Sequence, residues 1–201
     1  KRLKNLSINK DKVYIYDTLY KNSKEKNFIN NFEDFNFDKI SHAYICLPES
    51  QKKKYLKKLI SLQKHVLIEK PLNLKKDFIN QLLIGINSTS YTAYNHRFEP
   101  HIVNIKKLLN QNTIGNIYNV KMYYGNGTAK LWKGSWRSKD KFSILHDLGS
   151  HVLDILLYLL KGLPNKYNLN IAQKNELPCY DFLQFSSKSS LAISVTLSIL
   201  N

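Results

Sequence analysis

The feature that most constrains the fold of this chain is a regular alternation between short apolar runs and segments with helical periodicity. Residues 43–47 (AYICL) and 65–69 (HVLIE) have the length and composition of buried strands. The segment between them, residues 49–63, carries its apolar residues at helical spacing: Tyr55, Leu56, Leu59, Ile60 and Leu62. A strand, helix, strand unit of this length predicts two parallel strands with a helix packed on their face.

The alternation continues on both sides of this unit. Residues 12–17 (KVYIYD) predict an earlier buried strand, residues 74–86 a second helix and residues 90–95 a further strand. The rhythm then changes, because a helix is predicted over residues 100–109, with proline in its first turn, and a strand over residues 116–124. The pattern therefore predicts an α/β domain followed by a domain of different architecture.

The second half of the chain combines a long loop with a helix and further strands. Residues 125–142 form a connection that is too long for a simple turn, and connections of this length are typically functional. Ser143 can cap a helix that runs to about Leu160. Residues 179–185 and 191–199 show partial strand alternation, so we expect an α+β arrangement here.

Composition limits the class of protein. Of the 201 residues 43% are hydrophobic, which is sufficient for a buried core. No apolar run approaches the roughly 18 residues of a membrane span, so we expect no membrane association. Cys46 and Cys179 are the only cysteines and lack metal-ligand spacing, which predicts no metal site and a reducing, cytoplasmic compartment. We expect Cys46 to be a small buried residue.

The net charge of +16 raises the alternative of a nucleic-acid-binding module, because clustered Lys and Arg neutralise phosphates. The distribution of the charge argues against this alternative. Lysines occur throughout the chain, and groups such as Lys52–Lys54 are typical of solvated helix faces. We therefore expect no nucleic-acid partner.

Two short motifs carry titratable groups that suit an alcohol/ketone redox reaction. Asp147 and His151 lie four residues apart at the start of the predicted helix, so an α-helix would place them on one face. A carboxylate beside an imidazole can fix its tautomer and raise its basicity. Lys70, which follows a predicted strand and precedes Pro71, adds a cation or proton donor, and Pro71 permits a cis peptide bond.

Six landmarks follow one another in an order that resembles the Gfo/Idh/MocA family of nicotinamide-dependent oxidoreductases. They are VYIYD at 13–17, a strand ending at Leu47-Pro48, HVLIEKPL at 65–72, YNHRFEP at 94–100, IGNIYNV at 114–120 and DLGSHVLD at 147–154. The resemblance implies a Rossmann-type dinucleotide-binding domain over residues 1–92. It implies an α+β domain with a large, mainly antiparallel sheet over residues 93–201.

The resemblance also implies that both domains are incomplete. Family members begin with a strand and a GxGxxG turn that holds the cofactor pyrophosphate, and residues 1–6 resemble the helix that directly follows this turn. Ahead of DLGSH, residues 141–143 (KFS) replace a glycine pair that is frequent in the family.

The activity that the resemblance implies is NAD(P)-dependent oxidation or reduction at a hydroxyl or keto carbon of a sugar or sugar nucleotide. Residues 124–137 further resemble members that act in surface-polysaccharide biosynthesis. The resemblance implies a homo-oligomer when the protein is complete. The alternative is a non-catalytic member, or a fragment, that acts as a binding or interaction protein.

For the cofactor, the resemblance implies NAD, with NADP as the alternative. Asp17 would accept hydrogen bonds from the adenosine ribose and repel a 2′-phosphate, although a turn at a strand end is the other interpretation. The remaining candidate cofactor contacts are Leu47, Pro48, Glu69, Lys70 and Asn95. Glu69 could instead pair with Lys70.

For the chemistry, His151 is the candidate general base, Asp147 the group that orients it and Lys70 the cation that stabilises negative charge on the substrate oxygen. The roles of Lys70 and His151 could be exchanged.

For substrate binding, the candidates besides Lys70 and His151 are Arg97, Trp136 and Arg137. Arg97 could instead form a structural ion pair, and Trp136 could pack in the core. We expect His96 and His101 to face solvent.

Overall fold

The structure, a computed structural model, describes residues 12–17, 27–160, 162–187 and 189–200. It consists of two compact units that divide between His42 and Ala43. The helix expected at residues 1–6 lies outside the described residues.

The first unit contains a short pairing and a group of aromatic rings. Ile15 forms a parallel bridge with Phe28, and the amide of Ile15 donates to the carbonyl of Asn27 at 3.0 Å. The strand predicted over residues 12–17 is therefore reduced to one bridge in the described residues, because a strand extends only where a neighbour supplies ladder hydrogen bonds. The ring pairs are Tyr14 with Phe35, Tyr16 with Phe32, and Phe37 with both phenylalanines. A 3₁₀ turn follows at Phe37–Lys39.

The predicted strand, helix, strand arrangement follows, and all of it except His42 belongs to the second unit. The strands are β1 (His42–Ile45), β2 (His65–Ile68) and β3 (Ser90–Thr92), in the order β1-β2-β3, and β2 is parallel to β3. The helices are α1 (Glu49–Ser61) and α2 (Lys76–Leu82). Helix α1 packs on β2 and buries the predicted apolar face, namely Tyr55, Leu56, Leu59 and Ile60. The prediction of a parallel sheet covered by helices is confirmed.

A mixed four-stranded sheet forms the second half. After helix α3 (Pro100–Asn110), strands β4 (Asn119–Gly125), β5 (Asn168–Gln173), β6 (Phe182–Ser187) and β7 (Ala192–Ser198) assemble in the order β4-β7-β6-β5. Strand β4 is parallel to β7, whereas β6 is antiparallel to both β5 and β7. Strand β5 was not predicted, because it lies at the sheet edge and is exposed on both faces, so its sequence lacks the alternation of a half-buried strand.

One long helical segment covers this sheet and positions the DLGSH motif. It consists of a π-helical turn, Leu145–Gly149, followed by α5 (Ser150–Leu159). A Cβ atom added at Gly149 would lie 2.7 Å from Cδ1 of Leu145 and 3.2 Å from Cδ1 of Leu197 on β7. Glycine therefore allows the helix to approach the sheet closely.

The connecting loop contains two short elements, α4 (Ala129–Trp132) and a 3₁₀ turn at Trp136–Lys139. None of the described helices combines the length and apolar character needed to cross a membrane.

Candidate active site

An ion pair joins the end of β2 to the π-helical turn. The ammonium Nζ of Lys70 donates to carboxylate Oδ1 of Asp147 and, at 3.3 Å, to the Asp147 carbonyl. The two side chains are 18% and 29% exposed, so the pair is accessible from solvent while partly shielded from it. The Lys70–Pro71 peptide bond is cis. Two residues that were predicted to act together are thus in direct contact.

The backbone around β2 explains why Lys70 projects beyond the sheet. The amide of Ala93 donates to the Ile68 carbonyl at 2.7 Å, and the amide of Glu69 donates to the Ile45 carbonyl at 2.9 Å. Lys70 is the next residue, at the carboxyl end of β2. Ligands of doubly wound sheets bind beyond the carboxyl ends of the strands.

The structure corrects the predicted Asp147–His151 dyad. Asp147 lies in the π-helical turn, and the partner of its carboxylate is Lys70 rather than His151. The Asp147 carboxylate turns to Lys70, and Nδ1 of His151 is buried without a hydrogen-bond partner. No hydrogen bond joins these two residues, both of which the structure describes. The expected orienting contact was therefore wrong.

His151 lies in a pocket of aromatic rings and is 8% exposed. Its ring packs edge-on against His96, Tyr94 and Tyr124, with centroid separations of 4.4, 5.8 and 6.4 Å. Burial, followed by the positive charges of Lys70 and His96, lowers the pKa of His151 to about 4, while Asp147 opposes the change. The expected rise in basicity was wrong because desolvation outweighs the carboxylate. The imidazole is consequently neutral at pH 7 and able to accept a proton.

His96 is a site residue that sequence reasoning missed. It was expected to face solvent, but its Nδ1 is hydrogen-bonded to Glu99 and its Nε2 lies 3.0 Å from the hydroxyl of Tyr124. The contact with His96 lowers the pKa of the Glu99 carboxyl. The spacing of three residues between His96 and Glu99 was the available signal. His101, by contrast, is 67% exposed, as expected.

Arg97 takes the structural role that was one of its two interpretations. Its Nε donates to Oδ2 of Asp154 at 2.9 Å and its NH2 group donates to Oδ1. This pairing raises the pKa of Arg97. The guanidinium carbon also lies 5.8 Å from the Tyr91 ring centroid and 5.4 Å from that of Tyr158. Asp154 is on α5, three residues after His151, so Arg97 fixes the 3₁₀ turn that contains His96 against this helix.

The long loop places Arg137 beside the ion pair. Arg137 Nε lies 4.0 Å from Oδ2 of Asp147, and its guanidinium carbon lies 4.7 Å from the ring centroid of Trp136. Trp136 is 71% exposed, so the alternative of core packing is wrong; the buried tryptophan of this loop is Trp132. Trp136 and Arg137 therefore present a flat apolar surface and a cation at the mouth of the site.

The other candidate cofactor contacts cluster at the strand ends. Leu47 and Pro48 follow β1, Glu69 follows β2 and Asn95 begins the 3₁₀ turn after β3. Glu69 accepts a hydrogen bond from the hydroxyl of Tyr44 at 2.6 Å, which fixes its carboxylate.

Asp17 and Cys46 are two further residues for which the sequence carries an expectation. Asp17 lies in the first unit, two residues after the Ile15 bridge. Cys46 is exposed, contrary to expectation, because it follows the last residue of β1. Among the described residues no group of three His, Cys, Asp or Glu side chains could hold a metal ion.

Lys52 was missed as well. It was assigned to a solvated helix face, yet it is only 2% exposed. Its ammonium donates to the carbonyls of Glu69 at 2.5 Å and Pro71 at 2.7 Å. Burial lowers the pKa of Lys52. The spacing was informative, because Lys52 stands three and four residues before Tyr55 and Leu56 on the buried face of α1.

Comparison with known proteins places the chain in a family. The oxidoreductase family with an NAD-binding Rossmann fold matches residues 16–90, and the GFO/IDH/MocA C-terminal domain matches residues 102–196. The chain belongs to the Gfo/Idh/MocA family of oxidoreductases. The family and the fold class predicted from the sequence are confirmed, and the description of the first domain agrees with the predicted cofactor, NAD.

Curated relatives include two sugar or inositol dehydrogenases from Bacillus subtilis. Glucose-6-phosphate 3-dehydrogenase is 23% identical over 193 residues, a match that covers 84% of this chain and 53% of the relative. The NADP(+)-dependent scyllo-inositol 2-dehydrogenase is 26% identical over 133 residues, covering 63% of this chain and 37% of the relative. This Gfo/Idh/MocA chain thus spans about half the length of these relatives or less.

Solved structures agree on the fold. An oxidoreductase from Agrobacterium radiobacter in complex with NAD+, L-tartaric acid and magnesium has a TM-score of 0.74 at 14% identity, covering 87% of this chain and 53% of that one. An inositol dehydrogenase homolog from Azotobacter vinelandii, complexed with NADH and myo-inositol, has a TM-score of 0.69 at 19% identity, covering 82% and 46%. At these identities the likeness shows the shared fold.

Proposed function

We propose that the protein is an NAD(P)-dependent oxidoreductase that interconverts a hydroxyl and a keto group on a sugar or sugar nucleotide. The observation that carries the proposal is the placement of the Lys70–Asp147 ion pair beyond the carboxyl end of β2, with Asp147 four residues before the buried His151. This set combines a proton acceptor with a cation that can stabilise an oxyanion.

The residues at the strand ends fit a dinucleotide. Leu47 and Pro48 offer apolar surface, Glu69 and Asn95 offer polar groups, and the adjacent strands β2 and β3 are parallel, as in dinucleotide-binding sheets. NAD bound here would supply the hydride acceptor or donor. As the resemblance implies for its place in the sequence, the negative charge of Asp17 would favour NAD over NADP. We assign residues 1–92 to cofactor binding and residues 93–201 to substrate binding.

During oxidation, His151 would take the hydroxyl proton on a ring nitrogen as the substrate carbon loses hydride. The neutral imidazole suits this step, because the lowered pKa leaves the ring unprotonated at pH 7. Lys70 would donate a hydrogen bond to the substrate oxygen and stabilise its developing negative charge. The exchanged assignment, in which Lys70 is the base, fits the ion pair with Asp147 less well. Lys70 would first have to give up the proton that it donates to Asp147.

The loop beside the ion pair would select the substrate. Trp136 can stack on a sugar ring, and Arg137 can bind a phosphate or carboxylate group with two parallel hydrogen bonds. A role in surface-polysaccharide biosynthesis fits such a substrate. The free cysteines Cys46 and Cys179 fit a cytoplasmic protein, and the open sheet fits a homo-oligomer.

The test is a substrate screen with the product of the complete coding region. The purified protein is incubated with NAD+ or NADP+ and with inositols, aldoses, sugar phosphates and nucleotide sugars, and reduced nicotinamide is measured by its absorbance. We expect turnover with at least one sugar and loss of turnover in His151→Ala. Binding of nicotinamide cofactor and sugar with no hydride transfer in either direction would contradict the proposal and favour a non-catalytic binding protein.

A further inference from the structure

A buried lysine contacts the main chain on both sides of Lys70. Lys52 lies on α1, and its ammonium donates to the carbonyl of Glu69 at 2.5 Å and to that of Pro71 at 2.7 Å. These residues immediately precede and follow Lys70. One side chain therefore holds the carbonyl of the residue before and the carbonyl of the residue after the proposed oxyanion-stabilising residue.

Packing alone does not account for a lysine at this position. The neighbouring residues on the buried face of α1 are Tyr55, Leu56 and Leu59, and an apolar side chain would complete this face. Burying an ammonium is unfavourable unless its protons are hydrogen-bonded. The two carbonyls provide this compensation, at a point where the chain leaves the sheet.

The carbonyls of Glu69 and Pro71 lie beyond the last ladder hydrogen bonds of β2. The amides that close the ladder belong to Glu69 and Ala93, which bond to Ile45 and Ile68. Beyond these ladder bonds, Lys52 holds the main chain on either side of Lys70. Since Lys70 extends from this segment to Asp147 on another element, the position of its ammonium depends on how the segment is held.

We infer that Lys52 is a positioning residue that holds the Glu69–Pro71 segment so that the Lys70 ammonium stays paired with Asp147 and aimed at the substrate oxygen. The catalytic part of this inference rests on the proposed function. Its structural part, that Lys52 controls the environment of Lys70, does not.

The structural part is tested by competitive labelling of lysines with trace acetic anhydride, followed by peptide mass spectrometry. Lys52→Met keeps the length of the apolar stem but removes the ammonium and its donors. Lys57→Met, on the exposed face of α1, is the matched control. We expect the acetylation rate of Lys70 to rise about threefold in Lys52→Met, the scale of a loosened ion pair, and to stay unchanged in Lys57→Met. An unchanged rate at Lys70 in a folded Lys52→Met protein would overturn the inference.

The catalytic part is tested with the complete protein by steady-state kinetics. We expect Lys52→Ala to lower kcat about tenfold or more while KM for the cofactor stays nearly constant, because a small misplacement of a catalytic group is costly. Propylammonium should fill the space left by the lysine and restore kcat in a saturable manner, with no effect on Lys57→Ala. Normal kcat in Lys52→Ala, or loss of kcat and cofactor affinity together without amine rescue, would overturn the inference.

The two experiments separate the possible failures. Absence of all redox activity together with the expected change in Lys70 labelling would reject the proposed function and retain the role of Lys52. Redox activity with no change in Lys70 labelling and no loss of kcat in Lys52→Ala would retain the proposed function and reject the role of Lys52. If Lys52→Met does not fold, Lys52→Gln, which keeps a donor on a shorter arm, replaces it with the same expected direction at Lys70.

Discussion

Two ion pairs connect the residues that follow β2 and β3 to the same helical segment, and they differ in geometry and in the burial of the acid. The Lys70–Asp147 pair is a point contact between side chains that are 18% and 29% exposed, with Arg137 nearby. The Arg97–Asp154 pair is bidentate, its acid is 8% exposed, and two tyrosine rings flank its guanidinium.

The difference separates a contact suited to chemistry from one suited to structure. A lysine ammonium with one accessible partner can exchange that partner for a substrate oxygen, whereas a fork-shaped guanidinium paired through two hydrogen bonds is held in one geometry. The comparison predicts that breaking the first pair affects turnover, and that breaking the second affects stability.

The largest expected effect is on stability. Arg97→Met should lower the free energy of unfolding by about 3 kcal/mol, because the buried Asp154 carboxylate loses its partner. Lys70→Met should cost less than about 1 kcal/mol, because its pair is partly screened by solvent. Urea unfolding of both variants measures the difference, with Arg97→Lys as the variant that keeps charge but loses the fork. Equal losses of unfolding free energy in Arg97→Met and Lys70→Met would contradict the distinction between a structural and a chemical ion pair.

The next effect is on turnover. Lys70→Ala and His151→Ala should each lower kcat by about 100-fold or more, the scale of lost acid–base or electrostatic catalysis, with little change in cofactor affinity. Arg97→Met, assayed under conditions where it is folded, should retain much more activity than either. A fully active His151→Ala protein would remove the proposed base.

Acid sensitivity gives a further test of the His151 pocket. An unfolded histidine titrates near about 6.5, whereas burial lowers the pKa of folded His151 to about 4. Between these values the unfolded chain binds a proton that the folded chain does not, so the free energy of unfolding falls as pH falls from 6.5 to 4. His151→Gln should reduce this loss by about 3 kcal/mol. Parallel stability curves for the two proteins over this range would show that His151 titrates normally when folded.

The sequence predicted the elements that carry the Lys70–Asp147 pair, but it did not predict that these two side chains contact each other. The strand, helix, strand unit, the position of Lys70 after a strand and that of Asp147 at a helix start followed from periodicity and motif order. The contact between Lys70 and Asp147 joins residues 77 positions apart, which local patterns do not encode.

The wrong assignments have physical causes. A helical spacing rule predicted that Asp147 orients His151, but the Asp147 carboxylate pairs with Lys70, which is distant in the sequence. Lys52 and His96 were assigned to solvent because of their residue type, although each lies where burial is compensated by hydrogen bonds. The buried spacing of Lys52 on α1 was visible in the sequence; the carbonyls that it would bind were not.

The most direct test of the central claim, that a neutral His151 operates beside the charged Lys70–Asp147 pair, is an NMR titration of the His151 imidazole. We predict that its pKa is about 4 in the parent protein. The pKa should rise in Lys70→Met, because a positive charge is removed, and fall by a smaller amount in Asp147→Asn, because a weaker opposing charge is removed. An imidazole that titrates near about 6.5 in all three proteins would contradict the account.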